Sequence, residues 1–210
     1  MRCVLIRSEH LLLTFRDIRF LHFCLRPSDL LAKRRNILFT DISGEVFQAV
    51  RDSTEECKKL SVLRRCDHFV LLLDGERLCD RISRAQTYHS GSALLRSCLD
   101  ASMLASRSLV QVLFSKYDLI LSKGKEADEY LQFVESALTK RFADRLGSID
   151  LFKIAARPTE EEVVPFAYGL DKLLPIWMEQ SALFEQRPYA FDRPSGLREF
   201  DELRWKDETK

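Results

Sequence analysis

Glycine and net charge are both scarce in this sequence. Only 7 of the 210 residues are glycine, none precedes Gly44, and the formal net charge is +1 at pH 7. Composition therefore supplies no general attraction for nucleic acid or for an anionic membrane surface. No apolar run reaches the length of a membrane span, and charges interrupt the N-terminal residues too often for a signal peptide. These absences predict a cytoplasmic protein with neither nucleic acid nor membrane as a partner.

Cysteines are present without any metal-binding or disulfide pattern. There is no C-x-x-C spacing and no histidine cluster near any of them, which argues against a zinc site and against a disulfide framework. Scattered thiols of this kind fit a reducing cytosol. The six positions are Cys3, Cys24, Cys57, Cys66, Cys79 and Cys98.

Apolar runs and amphipathic stretches alternate along the chain. With 46% hydrophobic and 31% charged residues, the chain suits one fairly large globular domain. Continuous apolar runs are typical of strands buried on both faces of a parallel sheet. Strands are predicted at 3–6, 11–15, 37–40, 69–73, 109–114 and 150–154. Helical segments are predicted at 29–35, 48–65, 92–106, 126–146 and 166–184, with a polar loop at 76–91.

Four of these predicted strands end close to Asp41, Asp74, Asp118 and Ala155. In an alternating strand–helix arrangement the strands run parallel, and their carboxyl ends meet at one edge of the sheet. Open α/β sheets bind their ligands at that edge. The sequence therefore predicts an α/β fold with one ligand site there.

Three short motifs stand in a fixed order at these strand ends: Asp41-x-x-Gly44, Ser115-Lys116-Tyr117-Asp118 and Ala155-Ala156-Arg157. Their order and strand context resemble the latter part of a TRAFAC-class P-loop GTPase domain. The segments around Asp41 and Asp74 look most like the bacterial double-GTPase type. The resemblance covers about residues 37–180. It implies a three-layer P-loop NTPase-like (Ras-like) fold, with a mostly parallel sheet, helices on both faces and an incomplete N-terminal part.

The resemblance also implies ligands and site residues. The ligands are GTP and Mg²⁺. Asp118 would accept hydrogen bonds from the guanine ring edge, the Lys116 stem would pack over the base, and the Ala156 amide would meet the guanine carbonyl. Asp41 would face the magnesium shell, and the Gly44 amide would face the terminal phosphate.

Two acidic residues near these motifs each have two interpretations. Glu45 follows the switch glycine, where many GTPases hold a glutamine that orients the attacking water. It is therefore the catalytic candidate, and the alternative is a solvated acid at a helix start. Asp74 is either a ligand or a cap for the following loop.

The sequence departs from the GTPase pattern at its N-terminus. The phosphate loop G-x-x-x-x-G-K-[ST] does not occur, and the one Gly-Lys pair, Gly124-Lys125, follows the guanine motif. The chain is interpreted either as a truncated gene product or as a natural pseudo-GTPase. In the family the strand leading into that loop lies mid-sheet, so either residues 3–6 fill the position or a gap remains. Three regions are predicted: 1–36 in place of the phosphate-loop region, 37–184 as the GTPase-like domain, and 185–210 as a polar tail.

The leading functional hypothesis is a GTPase-like domain that is impaired in nucleotide binding and hydrolysis. It would bind guanine nucleotide weakly or not at all and would work with a protein partner or a missing upstream domain. One alternative is a nucleotide-independent protein-interaction module on the same sheet. Another is a magnesium enzyme of a different doubly wound family, with Asp41, Asp74 and Asp118 as metal carboxylates.

Overall fold

A computed structural model describes residues 2–7, 18–25, 35–42, 44–104, 109–146, 149–159 and 163–178. The chain divides into two units, Met1–Gln180 and Ser181–Lys210, and every described residue lies in the first. The predicted strand at 11–15, residues 29–34 of the predicted helical turn and the tail at 185–210 lie outside the described residues, and Arg35 begins a strand. Within the ranges given above, no helix combines the length and the apolar character that crossing a membrane requires.

The described elements alternate strands and helices after an N-terminal pair of strands. The strands are β1 (Arg2–Arg7), β2 (Ile18–Leu25), β3 (Arg35–Ile42), β4 (His68–Asp74), β5 (Leu109–Ser115) and β6 (Ile149–Lys153). The helices are α1 (Gly44–Asp52), α2 (Thr54–Lys59), α3 (Gly75–Cys79), α4 (Arg84–Asp100), α5 (Tyr117–Ser122), α6 (Lys125–Phe142) and α7 (Leu170–Met178), with a short 3₁₀ helix at Ser61–Arg65.

The six strands form one sheet in the order β2-β3-β1-β4-β5-β6. Strands β4, β5 and β6 pair in parallel. Strand β1 is antiparallel to both β3 and β4, so β3 points in the same direction as β4. Four of the six strands therefore share a direction, which confirms the predicted α/β, P-loop NTPase-like architecture.

Strand β1 fills the mid-sheet position between β3 and β4. Its register places Arg2 opposite Leu72 and Ile6 opposite His68, so the strand runs away from the edge at which β3 and β4 end. Of the two predicted alternatives, the structure shows the filled position, with the filling strand reversed. Strand β1 therefore ends, at Arg7, on the side of the sheet opposite to the predicted ligand site.

The sheet separates two layers of helices and two hydrophobic clusters. The larger cluster joins one face of the sheet to α1 through α6 and includes Phe47, Phe69, Leu94, Phe114 and Leu138. The smaller cluster lies under α7 and includes Ile37, Val70, Leu113, Ile154 and Leu173. On this second face the Trp177 indole N–H donates to Gln111 Oε1 at 2.7 Å, which anchors α7 to the middle of β5. Helices thus cover both faces.

Most predicted strands are confirmed, and the main errors concern helices. The residues at 76–91 are not a loop, because α3 and the first half of α4 occupy them. The single helix predicted at 48–65 is broken at Ser53, whose hydroxyl accepts from the Glu56 N–H and begins a new helix. Strand β2 and helix α5 were not predicted.

Candidate site at the carboxyl edge of the sheet

The predicted site residues arise where strands β3, β4, β5 and β6 end. Helices α1, α3 and α5 begin within two residues of the ends of β3, β4 and β5. Because these strands share a direction, their ends lie along one edge of the sheet. The loop after β6 reaches the same edge, where the Tyr117 N–H donates to the Ile154 carbonyl at 3.1 Å. This edge is the candidate functional site.

Asp118 is a buried carboxylate in the first turn of α5, with 7% of its surface exposed. Its Oδ2 accepts a hydrogen bond from the Thr159 backbone N–H at 3.0 Å and a longer one from the Thr159 hydroxyl at 3.4 Å. A buried carboxylate is costly unless it is hydrogen-bonded, so Thr159 accounts for the burial of this acid. The contact also fixes the loop after β6 against the start of α5.

Lys116 immediately precedes α5 in a left-handed backbone conformation, with φ 53° and ψ 43°. Few residues other than glycine adopt this conformation, and where they do it often marks a functional segment. Its Nζ pairs with Asp74 Oδ2 at 3.2 Å and with Glu76 Oε2 at 2.5 Å. The hydrogen bond with Glu76 is the main reason that the pKa of Lys116 lies above its ordinary value. The side chain thus bridges the ends of β4 and β5.

Asp74 and Gly75 bring the end of β4 against the end of β5. The Asp74 carboxylate accepts from the Glu76 N–H at 3.0 Å and so caps α3. A Cβ atom on Gly75 would lie 2.1 Å from the Ser115 carbonyl oxygen, so only glycine fits there without backbone movement. The Ser115 hydroxyl in turn donates to the Leu73 carbonyl at 3.2 Å. Gly75 is therefore required for the close approach of the two strand ends.

The loop after β6 folds back on itself beside Asp118. The Ala155 N–H donates to the Tyr168 carbonyl at 3.1 Å, and the Ala156 carbonyl accepts from the Ala167 N–H at 3.3 Å. The Tyr168 ring stacks on the Tyr117 ring at 5.8 Å between centroids. Ala156 itself is exposed. This arrangement holds an exposed backbone segment next to the buried acid.

The D-x-x-G segment lies at the end of β3 and the start of α1. The Asp41 backbone pairs with Arg19 in the β2–β3 ladder, while its side chain and Ser43 lie outside the described part. Gly44 and Glu45 are the first residues of α1, and both are exposed. An acid in the first turn is favoured by the helix dipole, so the position of Glu45 suits either of its two interpretations. Both remain predictions.

The structure describes the three residues that are predicted to bind guanine, whereas the side chain of Asp41, predicted to face magnesium, lies outside the described part. Lys116 and Asp118 lie at the start of α5, and Ala156 lies in the loop whose Thr159 N–H donates to Asp118. Among the residues that the structure describes, no group of three or more His, Cys, Asp or Glu side chains could hold a metal ion. Magnesium binding by Asp41 remains a prediction.

Three contributors to the site were not identified from sequence. Thr159 anchors Asp118, Glu76 pairs with Lys116, and the Tyr168 ring stacks on the Tyr117 ring. Each of these residues is far in sequence from the residue that it contacts, so no local sequence pattern predicts the contact. Gly75 differs from these three, because a glycine after an acid at a strand end is a local signal that favours a close backbone approach.

Comparison with known proteins agrees with this geometry. The model of the family described as Double-GTPase 2 matches residues 9–178, which is well over half of the chain. No curated protein and no solved structure matches the chain. The match includes β2 through α7 and all three motifs at the carboxyl edge. The chain therefore belongs to the Double-GTPase 2 family.

Proposed function

We propose that this chain is a guanine-nucleotide-binding type domain of the TRAFAC class that supplies the base-recognition half of a nucleotide site. The observation that carries the proposal is Asp118, a buried carboxylate anchored through one oxygen by Thr159. Anchoring fixes the orientation of the carboxylate before a ligand arrives, and such preorganisation reduces the cost of binding. A fixed carboxylate suits the two adjacent N–H donors on the guanine edge.

The phosphate half of the site is not supplied by β1. The strand runs from Arg2, opposite Leu72, toward Arg7, opposite Leu38. A phosphate loop follows a strand that points toward the ligand edge, whereas β1 points away from it. No glycine occurs before Gly44 to let a backbone approach phosphate closely. We therefore propose impaired nucleotide binding and hydrolysis, as in a pseudo-GTPase.

We also propose a protein partner or an upstream domain, and a cytoplasmic location. Without phosphate contacts, recognition of the base is the main source of affinity for the nucleotide. A second protein surface would then supply what this half of the site lacks. The described cysteines occur as thiols, which suits a reducing compartment. Membership of the Double-GTPase 2 family supports a GTPase-derived role for the chain.

A second candidate is a protein-interaction module that needs no nucleotide. It is favoured by Leu21 and Phe23 on strand β2, which are 54% and 47% exposed. The Phe23 ring packs edge-on against Phe39, and Phe39 packs against Trp177, so an apolar surface continues from the edge strand toward α7. Aromatic residues of this kind are enriched at protein interfaces.

Substitution of Asp118 tests base recognition. The variant Asp118→Asn exchanges one acceptor for a donor and leaves a guanine N–H facing an N–H, whereas xanthine offers a carbonyl at that place. We expect the preference to move from GTP to XTP by about ten- to a hundredfold, because a mismatched buried donor costs roughly 1–3 kcal/mol. Chemical-shift titrations by NMR measure dissociation constants even in the millimolar range and would follow GTP, XTP and ATP with both proteins.

The matched control is Asp74→Asn, which changes a carboxylate at the same edge. It alters the pairing of Lys116 but should change the affinities for GTP and XTP alike. An Asp118→Asn protein that retains the wild-type order of GTP over XTP would show that Asp118 does not recognise the base. Wild-type protein that binds none of the three nucleotides at millimolar concentration would favour the interaction module.

A further inference from the structure

Two buried thiols face each other behind helix α1. Cys57 lies on α2 and Cys98 on α4, and both are 0% exposed. The Cys57 Sγ donates to the Cys98 Sγ across 3.7 Å. A disulfide has an S–S length of about 2.05 Å, so closing the pair requires an approach of less than about 2 Å. Helix α2 spans only six residues and is separated from its neighbours by Ser53 and Leu60, so a shift of this size involves one short segment.

The pair differs from the other described cysteines in its surroundings. The Cys66 Sγ donates to the Leu63 carbonyl, and burial raises the pKa of that thiol to about 12. Burial also raises the pKa of Cys79. For Cys57 the hydrogen bond with Cys98 lowers the pKa, against the opposing effect of burial. Because the thiolate is the reactive form, Cys57 is the better nucleophile of these three.

We propose that Cys57 and Cys98 are a redox-modification site, at which a peroxide converts the two thiols into a reversible disulfide between α2 and α4. The Cys57 thiolate attacks one peroxide oxygen, the O–O bond breaks, and the departing hydroxide takes a proton to become water. The sulfenic acid on Cys57 is then attacked by Cys98 sulfur, which forms the S–S bond and releases a second water. The two thiols lose two protons and two electrons, and the peroxide is reduced to two waters.

The disulfide would restrain α2 and α4, the two helices next to α1, which begins at the glycine of the D-x-x-G segment. Helix α4 already holds α1, because the Ser97 hydroxyl donates to the Val50 carbonyl at 2.6 Å and Arg51 Nη1 donates to the Ser90 hydroxyl at 3.3 Å. Helix α2 follows α1 after one residue. Helix α1 spans nine residues, from Gly44 to Asp52. Joining α2 to α4 therefore also restrains the C-terminal end of α1. Because both sulfur atoms are buried, the oxidant reaches them by local opening of α2, so the reaction is slower than oxidation of the exposed Cys24.

The experiment treats the folded wild-type chain with hydrogen peroxide and follows intact mass, peptide map and melting temperature. We expect oxygen additions at the exposed Cys24 and a peptide cross-linked through Cys57 and Cys98, two hydrogen atoms lighter than the sum of the two reduced peptides. The melting temperature should rise by about 5–10 °C, as expected for a cross-link that closes a loop of about 40 residues. The cross-link and the shift in melting temperature should both reverse on treatment with dithiothreitol.

Single-cysteine variants provide the controls. Cys57→Ser and Cys98→Ser should each lose the cross-link and the shift in melting temperature, whereas Cys66→Ser, at another buried thiol, should retain both. Should a serine variant fail to fold, the peptide map of the wild-type protein decides the question alone. The proposal is overturned if Cys57 and Cys98 both remain alkylatable in denaturant after Cys24 has been fully oxidised, or if the cross-link forms without raising the melting temperature.

Discussion

The variant Gly75→Ala is expected to lose about 3 kcal/mol of unfolding free energy or more, and its melting temperature should fall by roughly 6–12 °C. The new Cβ would lie 2.1 Å from the Ser115 carbonyl oxygen and 3.0 Å from that of Lys116. Both are backbone atoms, so relief requires the end of β5 to move away from the end of β4. Urea and thermal unfolding of the variant and the wild type would measure the loss.

The matched control for this prediction is Gly91→Ala in helix α4. Its Cβ would lie 2.7 Å from the Leu73 Cδ2, which is the end of a flexible side chain, and alanine has a higher helix propensity than glycine by about 1 kcal/mol. We expect a change within about 1 kcal/mol. Equal stability losses at Gly75 and Gly91 would contradict the close packing of the β4 and β5 ends.

Acidification is expected to destabilise the protein through His68, the first residue of β4. The side chain is 3% exposed, and burial lowers the pKa of His68 from its ordinary 6.5 to about 4. The unfolded chain therefore binds a proton more readily than the folded chain does. The contribution of His68 is fully present above about pH 6.5 and is lost as the pH falls toward 4. At pH 5 the loss amounts to about 2 kcal/mol.

The measurement compares urea unfolding at pH 7 and pH 5 for the wild type and for His68→Leu, which cannot titrate. The wild type should lose about 2 kcal/mol more than the variant over this interval. The matched control is His89→Gln, which removes a surface histidine and leaves His68 in place, so the loss of about 2 kcal/mol should remain. An identical pH dependence in the wild type and His68→Leu would show that His68 titrates normally.

Strands β4 and β5 could be predicted because their burial requires a nearly continuous apolar sequence. A strand covered by helices on both faces must be apolar at consecutive positions, and the sequences HFVLLLD and LVQVLFS meet that requirement. The ends of these strands could be predicted from the acidic residues and the glycine that interrupt the apolar runs. The ligand edge was therefore predictable once the strands were.

The helical residues within 76–91 could not be predicted in the same way because distant contacts stabilise them. Arg81 and Arg84 both pair with Glu126 on α6, and the Arg84 guanidinium lies over the Tyr130 ring. Read locally, the same residues form a polar stretch without an apolar stripe. The start of α3 depends on Asp74, for which the sequence allowed a cap or a ligand and which caps α3 in the structure.

The direction of β1 and the anchoring of Asp118 also lie beyond local sequence. A short apolar strand pairs equally well in either direction as far as its composition is concerned, so only its neighbours fix its orientation. Thr159 reaches Asp118 from 41 residues away. The motif could therefore predict that Asp118 belongs to the site, but not which residue holds it.

The central claim is that this chain supplies only the base-recognition half of the nucleotide site. Comparing the affinities for guanosine and GTP tests this claim most directly. NMR titration of the wild-type protein with each ligand, with and without Mg²⁺, would give the four dissociation constants. We expect guanosine and GTP to agree within about tenfold, both weaker than roughly 100 µM, with no effect of Mg²⁺. Binding of GTP that is magnesium-dependent and more than about a hundredfold tighter than that of guanosine would contradict the account, because such affinity requires phosphate contacts within this chain.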